Sequence, residues 1–147
     1  MEKEFIRVRS VSDLITVILL IASGTLLIAL LSSPAVNITG TFLIFTGILL
    51  AAILKSDYKD TETGELYRKK ERYFQHAMNA PILSALASKP DSINLEEEDK
   101  GNAVRLDIYY NKSGKAYLQL FEYVPYRYEP CSKVYQYDIS KIQKLIK

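Results

Sequence analysis

Residues 14–31 (LITVILLIASGTLLIALL) and 36–54 (VNITGTFLIFTGILLAAIL) contain no charged side chain, and only Ser32-Ser33-Pro34-Ala35 separates them. As helices, each is long enough to cross the roughly 30 Å of hydrocarbon in a bilayer. Nothing else in the chain is large enough to bury both segments away from water. The expected fold is therefore a membrane α-helical hairpin followed by a small cytosolic α+β domain with an antiparallel sheet. So short a link makes the helices antiparallel neighbours. Ser33 and Pro34 read as the cap and first residue of the second helix, and Ser12 or Asp13 as the cap of the first.

Basic residues set the orientation. Lys3, Arg7 and Arg9 precede the first span, and Lys55, Lys59, Arg68, Lys69, Lys70 and Arg72 follow the second, whereas the link has none. The positive-inside rule places both termini in the cytoplasm of a multi-pass inner (plasma) membrane protein. Asp13 abuts the first apolar run and a second span follows at once, which argues against a cleaved signal peptide. The chain thus divides into a leader (1–10), a hairpin (11–55) and a domain (56–147).

Small residues recur at helical spacing on both spans: Ala22, Thr25, Ala29 and Ser32 on the first, Gly40, Gly47 and Ala51 on the second. In lipid, where packing drives helix association, such faces let backbones approach. They suit the contact within the hairpin and, beyond it, a homo-oligomer. Neither span carries an acid or base, which weighs against an ion or proton relay.

The domain of about 90 residues is large enough for one modest core. Apolar residues at 66/67, 73/74 and 77/78 predict a helix over 65–78. The alternative is a β-hairpin pairing 57–60 with 65–73 across Thr61 to Gly64. A short helix is expected over 81–88. Residues 103–110 and 116–124 flank a turn-rich loop at Asn111 to Lys115 and predict a hairpin with Tyr110 opposite Ala116, Ile108 opposite Leu118 and Leu106 opposite Leu120. That register makes one apolar face and leaves Arg105, Asp107, Tyr109, Tyr117, Gln119 and Phe121 on the other. Residues 92–95 and 133–137 read as further strands. Asp138 reads as the cap of a last amphipathic helix carrying Ile139, Ile142, Leu145 and Ile146.

Reaction chemistry is poorly provided for. One histidine (His76) and one cysteine (Cys131) leave no Ser-His-Asp set and no histidine-rich metal site, and a lone cysteine suits a reducing compartment. The acids at 96–99 lack the spacing and central glycine of a calcium loop and read as a solvated turn. No phosphate loop or nucleophile elbow occurs. The expectation is no enzyme, no metal and no cofactor. A net charge of +2 is too mild to point to DNA.

Recognition chemistry is better provided for. Tyr109, Tyr110, Tyr117, Tyr123, Tyr126, Tyr128, Tyr135 and Tyr137 crowd together with Arg105 and Arg127. Aromatic faces stack on bases and on guanidinium groups. The same tyrosines would also serve as bulk in a domain without tryptophan. Two prolines make 123–130 a loop or edge, hence a contact surface. The basic run Arg68-Lys69-Lys70-Glu71-Arg72 suits membrane lipid or a phosphate group.

In the order and size of its parts the chain resembles the two-transmembrane effectors of bacterial antiphage systems. The resemblance implies a cytosolic domain that binds a cyclic oligonucleotide and helices that assemble to disrupt the membrane. The expected ligand-binding residues are Arg105, Asp107, Tyr109, Tyr117, Gln119, Arg68, Lys69 and Arg72. The alternatives are a membrane-anchored scaffold or accessory subunit that binds a protein partner through the tyrosine-rich surface, and a channel or transporter subunit.

Overall fold

Two helices, α1 (Val11–Leu30) and α2 (Pro34–Ala52), occupy the apolar segments in the computed structural model, which describes residues 3–147; residues 1 and 2 of the leader lie outside the described residues. Both are long and apolar enough to span a membrane. Ser33 and Pro34 open α2 as expected, whereas Ser10, not Ser12 or Asp13, takes the cap position of α1. Asp13 sits in the first turn of α1, where the positive end of the helix dipole favours an acid. By its internal contacts the chain forms two units, Arg7–Asp57 and Met1–Ile6 with Tyr58–Lys147.

Within the hairpin unit, the seam between the helices is built on glycine. Val17 and Gly24 of α1 and Gly40 and Gly47 of α2 are the buried positions. A Cβ placed on Gly24 would stand 2.5 Å from the Gly40 carbonyl oxygen, and one on Gly40 would stand 2.7 Å from that of Gly24. The two backbones therefore touch, and any side chain here would part them. Gly40 and Gly47 were expected on this seam. Ala22, Thr25, Ala29 and Ala51 were expected there too, but they are exposed. Ala22 lies two residues before Gly24 and so is turned about 200° away from it. The hydroxyls of Thr16, Ser23, Thr25, Thr39, Thr41 and Thr46 each donate to the carbonyl four residues earlier, so they need no water.

A sheet organises the other unit, and its first two strands carry the chain across the boundary with the hairpin unit. Its strands are β1 (Phe5–Arg9), β2 (Ser56–Asp60), β3 (Leu66–Phe74), β4 (Val104–Tyr110), β5 (Lys115–Val124), β6 (Arg127–Pro130) and β7 (Tyr135–Asp138), in the order β1-β2-β3-β4-β5-β6 with β7 also on β5. The pairs from β2 onward are antiparallel. Residues 5–9 of the leader are thus a strand, with Phe5, Arg7 and Arg9 on one side and Ile6 and Val8 on the other.

Residues 66–74 form a strand, not the expected helix, and the hairpin alternative describes the chain. Tyr58 pairs with Tyr67, and β3 pairs along its length with β4. The helical reading failed because charges alternate onto both faces of β3, and both faces are satisfied. Lys70 and Arg72 point to the side where the chain ends. There the Lys70 ammonium donates to the Ile146 carbonyl (2.8 Å) and Arg72 Nε to that of Leu145 (2.7 Å), while the Arg72 guanidinium also pairs with Glu98. Lys69, Glu71 and Tyr73 point the opposite way.

Asp60 makes the β2–β3 turn. Its carboxylate accepts from the Glu62 amide (3.0 Å), the Thr63 hydroxyl (2.9 Å) and the Lys3 ammonium (2.5 Å), and Gly64 supplies the positive φ of 73° that closes the turn. Burial pushes this carboxyl up, but Lys3 and the two turn donors outweigh it, leaving the group below the ordinary aspartate value. The bond to Asp60 also raises Lys3, more than burial lowers it. A depressed carboxylate stabilises the fold above its unfolded value, about pH 3.9, and loses that contribution as pH falls through the lower folded value. A raised lysine stabilises below its own unfolded value, about pH 10.4, and loses this as pH rises through the higher folded one. The pair's contribution is therefore level between about pH 5 and 9 and declines on either side. Denaturation midpoints of the full chain between pH 3 and 7 should fall less steeply on acidification for Asp60→Asn than for wild type. Identical slopes would remove this role.

The apolar face of β4 and β5 has the expected register, with Leu106 opposite Leu120 and Ile108 opposite Leu118. Two helices cover it: α3 (Asn79–Ser88), through Ile82, Ala85 and Leu86, and the short α4 (Gln143–Ile146), through Leu145 with Ile142 beside it. The expected strand at 92–95 is absent: Pro90–Ser92 and Leu95–Glu97 are 3₁₀ turns. The strand expected at 133–137 appears as β7. Asp138 makes no capping bond and leads into a 3₁₀ turn, Ile139–Lys141, before α4. The edge expected at 123–130 is the end of β5 and the edge strand β6. Between β6 and β7, Ser132 takes the place of a strand partner, its hydroxyl accepting from the Leu120 amide (2.9 Å).

Candidate functional site

The face of the sheet opposite α3 and α4 is aromatic and charged. Alternation along three adjacent strands places Lys69, Glu71 and Tyr73 of β3, Arg105, Asp107 and Tyr109 of β4, and Tyr117, Gln119 and Phe121 of β5 together. Tyr109 pairs directly with Tyr117, as the sequence predicts. The expected Arg105, Asp107, Tyr109, Tyr117, Gln119 and Lys69 therefore share one surface. Arg68 and Arg72 lie on the other face. Arg68 is exposed, and Arg72 is buried against Leu145 and Glu98.

At the centre is a buried charge cluster. Asp107 is 1% exposed. The Lys69 ammonium lies 2.9 Å from Asp107 and 2.5 Å from Glu71, and Arg105 donates through one terminal nitrogen to Asp107 at 3.2 Å. Arg105 Nε and Asp107 Oδ1 are both buried and face each other as an ion pair at 2.8 Å, without the alignment of a hydrogen bond. Burial pushes the Asp107 carboxyl up, and the bond from Lys69 offsets this only in part. Burial acts on Lys69 too, but its bonds to Glu71 and Asp107 prevail and hold it above the usual lysine value. Arg105 lies on the face opposite the apolar one, as expected, but its side chain is only 19% exposed, held between Phe121 and Tyr128 with ring centroids at 4.8 and 4.5 Å.

Aromatic rings flank the cluster. Tyr67, Tyr109 and Tyr117 form a platform, and Phe5 from the leader lies on Tyr109 with centroids 4.1 Å apart and planes within 8°. Lys3 stands 4.8 Å over the Tyr117 ring. Lys3 and Phe5 were not foreseen as part of this face. Their signal was the alternation in Phe5-Ile6-Arg7-Val8-Arg9, legible as a strand but too short to stand out beside two long apolar runs. Gln119 is turned to the sheet edge, where its amide donates to the Ser132 carbonyl (3.2 Å).

This arrangement has no nucleophile beside a base. Chemically it offers flat π-surfaces, a forked cation and an acceptor, the set needed to hold a planar anionic molecule. Comparison of the chain with family models, with curated proteins and with solved structures yields no match in any of the three.

Proposed function

We propose that the protein is a non-enzymatic membrane sensor. In this reading α1 and α2 cross the inner membrane with both termini in the cytoplasm. The sheet domain binds a cyclic nucleotide second messenger, and occupancy drives assembly of the helices to disrupt the membrane, as in the antiphage effectors whose parts follow the same order. The observation that carries the reading is the gathering of Lys69, Arg105 and Asp107 with Tyr109, Tyr117 and Phe121 on one face of the sheet, with Tyr128 against Arg105. A guanidinium and an ammonium on that face would meet the charge of a nucleotide phosphate, and ring faces beside them would stack its base.

Phe5 supplies the relay. Its ring lies on Tyr109 as a base would, and its strand runs directly into α1 at Val11. A ligand that takes this place displaces the strand leading to the membrane. It biases assembly by its preference for the displaced state over the resting one. Phe5→Ala removes the internal competitor. An offset aromatic pair is worth about 0.5–1.5 kcal/mol, so the variant should bind a cyclic dinucleotide about 2- to 10-fold more tightly. Calorimetry of the full-length protein in detergent reads this directly. Unchanged or weaker binding in Phe5→Ala would sink the relay.

A second reading, a scaffold that docks a protein partner, has its own observation. Tyr126 sits at the tip of the β5–β6 hairpin with φ 73° and 97% exposure, beside Tyr123 at 51%. A left-handed conformation at a residue with a side chain costs about 1–2 kcal/mol, so a glycine would suit the tip better for folding alone.

A further inference from the structure

We propose a binding site for the phosphate headgroup of an anionic phospholipid at the charged end of the hairpin unit. A groove of about 390 Å³ opens there, lined by Arg7, Val8, Arg9 and Ser56 and by Ala51, Ala52 and Leu54. Its two walls differ in chemistry. The last turn of α2 and the residues just after it present small apolar surface. The strand before α1 presents two guanidinium groups on the same side, two residues apart.

The cations are the informative part. Lys3, Lys69, Arg72 and Arg105 each stand against a carboxylate. Arg7 and Arg9 have no ion pair among the described residues; Arg7 Nε donates to the Ser56 hydroxyl at 2.7 Å, which fixes its direction and leaves its charge unpaired. Two exposed, uncompensated guanidiniums beside an apolar wall match a phosphodiester joined to a lipid, since the planar fork binds two phosphate oxygens at once. The carbonyl end of α2 repels a bare anion and attracts cations, so the arginines, not the helix end, must hold the phosphate. The groove also lies where both long apolar helices meet polar chain, at Val11 and Ala52. If those helices cross a bilayer, that level is the headgroup layer, and lipid phosphate is always present there.

Native mass spectrometry of the full-length protein in detergent, with phosphatidylglycerol or phosphatidylcholine added, tests the site. Wild type should retain one phosphatidylglycerol per chain and no phosphatidylcholine. R7Q/R9Q should lose retention by about 30-fold, the equivalent of two basic residues at an anionic surface. K55Q removes a nearby cation that does not line the groove and should retain lipid as wild type does. R7K/R9K, which keeps the charge without the fork, should fall between the two and covers the case in which R7Q/R9Q fails to fold. Equal retention by R7Q/R9Q and wild type, equal retention of the two lipids, or loss of lipid to millimolar inorganic phosphate would each overturn the proposal. The last would make the groove a site for free anions.

Discussion

Gly40→Leu should separate α1 from α2 while leaving each a helix. The Cβ alone would press on the Gly24 carbonyl at 2.7 Å, and backbone cannot rotate out of the way as a side chain does. Overpacking of a filled core costs about 1–3 kcal/mol, and a leucine against a facing backbone lies at the upper end. Gly24→Leu should match it. Gly47→Leu should be milder, because the first obstacle there is the Ile21 side chain at 2.7 Å, which has other rotamers. Disulfide trapping measures the effect. In a Cys131→Ser background, cysteines at Leu20 and Gly47 would have Cβ atoms about 3.4 Å apart, close to the spacing a disulfide needs. Trapping should be fast without further change and much slower with Gly40→Leu added. Equal rates would mean that the glycine contact does not hold the hairpin.

Lys69→Met should be the most damaging single change in the sheet domain. Methionine keeps the aliphatic stem against Tyr58 and Tyr109 but removes the cation that faces both Asp107 and Glu71. Asp107 then remains buried with Arg105 alone. Leaving a buried charge undercompensated costs about 3–5 kcal/mol, far more than an exposed pair is worth. Adding Asp107→Asn should recover part of the loss, because the charge that needed compensation is gone. Urea denaturation of the full chain in detergent, followed by tyrosine fluorescence, compares the three proteins. Lys69→Met within about 1 kcal/mol of wild type would place the cluster in a wetter setting than its burial implies.

The parts of this fold that rest on a single repeating contrast were legible in sequence. Uncharged runs read as two long helices, and the alternation at 103–110 and 116–124 returned the register residue for residue. β3 was misread because polar side chains were assumed to face water. Lys70 and Arg72 spend their charge on carbonyls at the end of the chain, some seventy residues away, a pairing no local pattern reveals. The hairpin seam was half legible. Gly40 and Gly47 were identified, but an exposed stripe of alanine and threonine at the same spacing competed with Gly24, and spacing alone does not say which face meets the partner helix.

The aromatic and charged face of the sheet followed the same rule. The β4–β5 register placed Arg105, Asp107, Tyr109, Tyr117 and Gln119 together in advance. What it missed is that the face is occupied. Lys3 and Phe5 arrive from a leader about a hundred residues upstream of Tyr109, and they turn an open platform into a covered one.

Isothermal titration of the full-length protein in detergent with a panel of cyclic di- and trinucleotides tests this account most directly. It predicts saturable heat with at least one member of the panel, tighter in Phe5→Ala than in wild type. A folded protein that gives no heat with any member, in either form, would contradict ligand sensing and leave the scaffold reading in its place.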